Sequence, residues 1–122
     1  MTGEALLFFD EMPASLPIYS ALEQRLLNSY PDMTVKTQKT QISFYDGFCF
    51  GCASLPRKGK GLLVTFGLPF RLDGDRIYVA TEPYPGRWTH HVIVKDTHEI
   101  DAELLSWMDM AHEFALRKGK KK

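Results

Sequence analysis

Cys49-Phe50-Gly51-Cys52 is a Cys-x-x-Cys, a pattern that serves thiol–disulfide exchange or supplies half of a zinc site. A redox pair works best with its first thiol at a helix N-terminus, and zinc needs two more ligands, for which His90 or His91 would have to serve. The flanking residues instead read as an apolar strand, in which a spacing of three sends the two thiols to opposite faces. Buried structural cysteines are therefore expected, with no metal and no cofactor.

His90 and His91 are neighbours in a second strand-like run, so they also face opposite ways and cannot both line one site. The bland expectation is one imidazole packed near Trp88 and the core, and the other on the surface. Catalytic motifs are missing: the sequence has no Gly-x-Ser-x-Gly elbow, no His-Glu-x-x-His, no Walker loop and no dinucleotide fingerprint. Lys58-Gly59-Lys60-Gly61 reads as a basic hairpin turn. No catalytic residue is assigned.

Charge gives the sharper signal. The 122 residues carry equal numbers of acids and bases, yet residues 36–95 hold nine bases against four acids, and residues 96–116 hold six acids and no base. The basic stretch is also the strand-like one. Lys36, Lys39, Arg76 and Arg87, with Tyr45, Tyr78 and Trp88, could form a basic, aromatic sheet face that recognises phosphate or carboxylate, with Gly51, Ala53 and Gly67 leaving room above it. The binding residues expected there are Lys39, Arg76, Tyr78, Arg87, Trp88 and His90. Helix-to-sheet ion pairing at the rim is the competing use of the same charges.

The elements that must position these residues follow from periodicity. A short helix is expected over Glu4 to Glu11, and a longer one from Ser15 as N-cap, with Ile18, Ala21, Leu22 and Leu26 on one face, ending at Tyr30-Pro31-Asp32. The period then drops to two in Met33–Thr37, Gln41–Tyr45, Phe48–Leu55, Leu62–Phe70, Arg76–Ala80 and Trp88–Lys95. Asp73-Gly74 reads as a two-residue hairpin turn. A final helix starts at Asp96 or Thr97, carries Ile100, Leu104, Trp107, Met108, Ala111, Phe114 and Ala115 as its apolar stripe, and stops at Gly119.

The expected fold is α+β: a mainly antiparallel sheet of about five or six strands flanked by N-terminal helices and a C-terminal helix. Leu62, Val64, Phe66, Leu68, Ile77, Val79, Val92 and Val94 should face the core, with Thr65, Gly67, Arg76, Tyr78, Arg87, Thr89 and His91 on the other face. The chain reads as one domain over 1–122, with a core at about 4–117 and a Lys-rich, disordered tail at 118–122. No run approaches the roughly twenty apolar residues of a membrane span, and Met1-Thr2-Gly3-Glu4 lacks a secretory flank, so the cytoplasm is the expected compartment. Nucleic acid is not an expected partner, because the body without its tail is acidic.

Five segments in order resemble a known bacterial family: Leu16-Pro17-Ile18-Tyr19-Ser20-Ala21-Leu22; Lys39-Thr40-Gln41-Ile42-Ser43-Phe44; Gly61-Leu62-Leu63-Val64 through Leu68-Pro69; Arg87-Trp88-Thr89-His90-His91-Val92; and Ile100-Asp101-Ala102-Glu103-Leu104-Leu105. The chain resembles the domain of unknown function DUF5655 over about residues 14–116. That family has no established activity. It occurs as small stand-alone proteins and as a terminal module of larger proteins labelled predicted nucleases or transport proteins, which implies an accessory binding role. The resemblance directs attention to Lys39, Arg87, Trp88 and His90, while Cys49 and Cys52 stand where the family suggests aromatic or aliphatic residues.

The expected function is a non-catalytic binding or interaction module taking an anionic small molecule or an acidic protein partner, a second copy of the chain included. The alternative is an enzyme or nucleic-acid accessory domain with His90 or His91 as acid or base near Lys39.

Overall fold

The computed structural model describes residues 8–10, 12–56 and 61–120; the side chains of Tyr84 and of residues 118–120 are not described. Most of the expected Glu4–Glu11 helix, and residues 58–60 of the expected Lys58–Gly61 turn, lie outside the described residues. A 3-10 turn, Pro13–Ser15, leads into α1, Leu16–Ser29. Ile18, Tyr19, Leu22 and Leu26 form its buried stripe, the 3.6-residue period that the sequence carries. Ser15 occupies the N-cap position but does not cap: its hydroxyl donates to the Gly61 carbonyl, tying the helix start to the sheet. Tyr30, which precedes Pro31, ends the helix, because proline disfavours helical geometry in the residue before it.

Six strands follow: β1 Thr34–Thr37, β2 Ile42–Tyr45, β3 Cys49–Ser54, β4 Leu62–Leu68, β5 Ile77–Tyr84 and β6 Arg87–Val94. They make one sheet in the order β1-β2-β3-β4-β6-β5, with every neighbouring pair antiparallel. The fold is thus α+β, as the alternation of periods implied. One connection departs from the expectation. β4 pairs with β6 rather than β5, so Asp73-Gly74 is not a hairpin turn but part of the crossover Pro69–Arg76. That crossover runs over the helix-side face, where the Leu72 N–H donates to His90 Nε2 at 2.9 Å.

Asp96 caps a short 3-10 turn, Thr97–Glu99, by accepting from the His98 N–H at 2.8 Å. The long helix α2, Ala102–Lys120, begins only after it, with the Asp101 carboxylate accepting from the Leu104 N–H at 3.0 Å. The expected single helix from Asp96 is therefore broken at Ile100-Asp101, and it runs one residue past Gly119. Leu104, Met108 and Ala111 recur at helical spacing and are buried against β3 and β4. Among the described residues, no helix is long and apolar enough to cross a membrane.

The helices and the crossover cover one face of the sheet. Ile42, Phe44, Ala53, Leu62, Val64, Phe66, Leu68, Val92 and Val94 are buried there. Two expected members depart. A register shift between Ile77 and Val79 leaves Tyr78 as an extra residue, and Val79 then pairs with His91 and is 39% exposed. Arg76, just ahead of that bulge, goes to the helix side, not to the open face.

Candidate functional site

Neither helix covers the opposite face. Its central row is set by the ladder itself: Lys36 opposes Ser43, Ser43 opposes Cys52, Cys52 opposes Thr65, Thr65 opposes His91, and His91 opposes Val79. Directly opposed residues share a face, so this row crosses all six strands. Polar side chains here satisfy one another. Ser43 Oγ donates to Gln38 Oε1 at 2.9 Å and accepts from Gln41 Nε2 at 3.1 Å, and Thr65 Oγ1 lies 3.0 Å from His91 Nδ1.

A bulge brings Cys49 to this row's side as well. Phe44 opposes Gly51, but Tyr45 opposes Cys49, which leaves Phe50 as the extra residue. Phe50 turns inward onto Tyr30, Phe44 and His112. Cys49 consequently shares the open face with Cys52, against the expectation of opposite faces; Cys49 is exposed and Cys52 half-buried. Burial pushes the Cys52 thiol up to about 11, with Cys49 adding to the rise and the Thr65 hydroxyl opposing it. Burial also lowers the basicity of His91. Cys52, Thr65 and His91 therefore form a neutral hydrogen-bonded line at neutral pH, without the thiolate and imidazolium that an activated thiol requires.

Below this line the sheet opens. The β3–β4 ladder consists of Ser54–Leu63, Ala53–Val64 and Cys52–Thr65, whereas β4 stays paired with β6 as far as Leu68–Trp88. A cleft of about 190 Å³ occupies the gap. Gln41, Cys49, Cys52, Thr65 and Arg87 supply its polar lining, and Phe50, Phe66 and the α2 residues Ala111, Phe114 and Ala115 its apolar lining. Gly51 is needed here, because a Cβ would sit 3.0 Å from the Met108 terminal methyl and 3.2 Å from the Thr65 carbonyl oxygen.

Arg87 follows the Pro85-Gly86 turn, where Gly86 adopts φ +83°, and its side chain lies over Gly67. A Cβ on Gly67 would stand 2.9 Å from both Cζ and Nη2 of Arg87, so the glycine's missing side chain is the guanidinium's seat. No carboxylate among the described residues pairs with Arg87. Glu82, on the same hairpin, accepts from the Gly86 N–H at 3.3 Å instead.

The other expected site residues lie elsewhere. Arg76 is tied to α2: Nη1 contacts Asp101 at 2.9 Å and Glu103 at 3.0 Å, Nη2 donates to the Glu99 carbonyl at 2.7 Å, and the guanidinium lies 5.6 Å from the Trp107 ring. His90 is fully buried on the covered face, stacked on Phe66 with ring centroids 5.4 Å apart. Burial lowers its basicity, against the pull of the Trp88 and Phe66 carbonyls. Its Nε2 accepts from Leu72, so the neutral ring carries its proton on Nδ1, which faces the Trp88 and Phe66 carbonyls without a hydrogen bond of good geometry among the described residues. Trp88 opposes Leu68 on that same face, half-buried, with Arg71 over its ring at 5.8 Å. Tyr78 is 65% exposed at the edge strand, and Lys39 is exposed in the β1–β2 turn, with β2, β3 and β4 between it and the histidines of β6.

Of the expected set, Arg87 alone lines the cleft. The room expected over three small residues is otherwise used: Gly67 is filled by Arg87, Gly51 faces Met108, and Ala53 is buried on the covered side. Sequence reading gave no site role to Gln41, Thr65 or His112, although alternation put Thr65 on the open face. His112 Nε2 contacts Asp46 Oδ2 at 2.8 Å and its ring stacks on Tyr30 at 4.3 Å, while the Tyr30 hydroxyl donates to Asp109 at 2.6 Å. This cluster fastens the end of α1 and the β2–β3 turn to α2. Among the described residues, no three His, Cys, Asp or Glu side chains converge as metal ligands.

No curated protein and no solved structure matches the chain significantly. A family model does: the one described as Domain of unknown function (DUF5655) matches residues 7–115, and the chain belongs to that family.

Proposed function

We propose that the protein is a non-catalytic binding module that receives an anionic group at Arg87, in the cleft where β3 and β4 part, between the open sheet face and α2. The observation that carries this reading is the position of the Arg87 guanidinium, seated over Gly67 at a cleft and without a carboxylate partner among the described residues. A guanidinium presents paired N–H donors that match carboxylate or phosphate oxygens, and it is always charged. Thr65 and Gln41 add neutral polar groups to the same lining. The neutral Cys52–Thr65–His91 line favours recognition over nucleophilic chemistry.

A thermal-shift screen of the purified chain against carboxylates, phosphate and phosphorylated metabolites tests the reading. A ligand at about a hundred times its Kd stabilises by roughly 2.7 kcal/mol, a shift of several degrees for a domain of this size. The shift is expected to vanish in Arg87→Ala and to persist in Lys39→Ala, because Lys39 is not among the residues that line the cleft. A shift that survives Arg87→Ala unchanged would place the ligand elsewhere, and a melt indifferent to every anion would end the proposal.

A further inference from the structure

The cleft has two chemistries, and together they define more of the ligand than its charge. This step rests on the anion reading above. Arg87, Gln41 and Thr65 give it a polar side; Phe66, Phe114 and Ala115 belong to its apolar side. At about 190 Å³ it falls below the range of drug-sized pockets, roughly 300–1,000 Å³. Its side walls are the diverging strands β3 and β4, which part after the Cys52–Thr65 pair. A gap bounded by two strands is a slot, which suits a flat body better than a round one.

Charge narrows the class further. A single guanidinium lines the slot, and the other polar groups there are neutral. A monocarboxylate is matched by that one positive charge, whereas a phosphate dianion would keep a negative charge uncompensated as it left water. A small ion such as acetate would in turn leave the apolar lining unused, and each carbon it lacks forgoes transfer free energy.

We infer that the slot takes a monocarboxylate on a short, flat apolar body, an arylcarboxylate the size of benzoate, with the carboxylate on Arg87 and the ring against Phe66 and Ala115. Isothermal titration of the full chain with benzoate, acetate, inorganic phosphate and benzamide tests this, with amide shifts of Gly51 and Gly67 locating the binding. Benzoate is expected to bind at least roughly tenfold tighter than acetate, since each buried carbon contributes a severalfold factor. Ala115→Leu, which narrows the apolar side from a half-buried helical position, should erase benzoate's advantage over acetate. Arg87→Gln should weaken both.

Cyclohexanecarboxylate keeps the charge and thickens the body, so it tests the slot without any substitution and should bind more weakly than benzoate. If acetate or phosphate binds as tightly as benzoate, and Arg87→Gln abolishes it, the arylcarboxylate inference falls and the anion site stands. If cyclohexanecarboxylate equals benzoate, the flat slot is wrong. If benzamide equals benzoate, or no anion binds at all, both the inference and the anion reading fall.

Discussion

His90 and His91 are chain neighbours with opposite surroundings. His90 lies under the Pro69–Arg76 crossover, stacked on Phe66 and accepting a hydrogen bond from the backbone of Leu72. His91 shares the open face with Thr65 and Cys52. Arg76 and Arg87 repeat the contrast: the first is spent on Asp101, Glu103 and the Glu99 carbonyl, the second has no such partner among the described residues. Residue type therefore does not assign a role in this sheet; the face does. On the covered side Arg76 and His90 are held by contacts that serve folding; on the open side Ser43 and Thr65 bond to their neighbours, and Arg87 has no carboxylate partner among the described residues.

The widest gap between the faces is expected in stability. Phe66 is 2% exposed, between His90 and Trp107, and Phe66→Ala should cost about 3–5 kcal/mol, because a large ring leaves a cavity its neighbours cannot fill. Its chain neighbour Thr65 points the other way, and Thr65→Ala removes a hydrogen bond with His91, a loss of about 1 kcal/mol. Urea titrations of the two variants measure both. Equal costs would mean that the open face is packed as tightly as the covered one, and the contrast would fail.

A smaller difference should appear with pH. Both imidazoles have lowered basicity in the fold, chiefly through burial. Below the unfolded value of about 6.5, the unfolded chain binds protons that the folded chain refuses, so stability declines as pH falls. The contribution is whole above that value and is lost progressively beneath it. His90 is fully buried and His91 only half-buried, so His90 should supply more of the slope. His90→Leu removes the titration but strands the Leu72 N–H, which costs about 1–3 kcal/mol at neutral pH. Melting curves from about pH 7 to pH 5 should be flatter for His90→Leu than for His91→Leu. The reverse order would contradict the assignment of the two rings to their faces.

Much of the covered face was legible from the sequence. Leu62, Val64, Phe66 and Leu68, with Val92 and Val94, keep strict alternation in strands without bulges, so period and burial agree. The open face was legible only where its strands are regular: Thr65, Gly67 and His91 fall as alternation requires. Bulges defeated the rest. One extra residue at Phe50 brought Cys49 round to Cys52, and another at Tyr78 exposed Val79. Local pattern carries no mark of such an insertion, because each segment still alternates on either side of it. Strand order was equally hidden. Asp73-Gly74 has the composition of a hairpin turn, yet β6 takes the place beside β4, a preference decided by tertiary packing and invisible to a two-residue signal. The cleft depends on both hidden facts, since it lies where the bulged β3 parts from a β4 that stays paired to β6.

Gly67→Ala is expected to separate the two faces with the least disturbance. The backbone there is strand-like and outside the left-handed region, so alanine is conformationally acceptable, and losing a strand glycine should by itself stabilise by about 0.4–1 kcal/mol. The three atoms nearest the new Cβ all belong to the Arg87 guanidinium, at 2.9 to 3.1 Å. The far end of a flexible side chain yields where backbone would not, so Arg87 should lift from its seat while the sheet stays as it is. Melting temperature without ligand should therefore change by a few degrees at most for a shift under about 1 kcal/mol, while anion-induced stabilisation falls toward the Arg87→Ala level. Gly51 behaves otherwise: an added methyl there meets the Thr65 carbonyl as well as Met108, so the backbone itself would have to move. If Gly67→Ala melts normally and still responds to anions in full, a seated guanidinium is not what the ligand requires. A large loss of stability would instead show that Arg87 holds the sheet together, and the two arginines would then share one role.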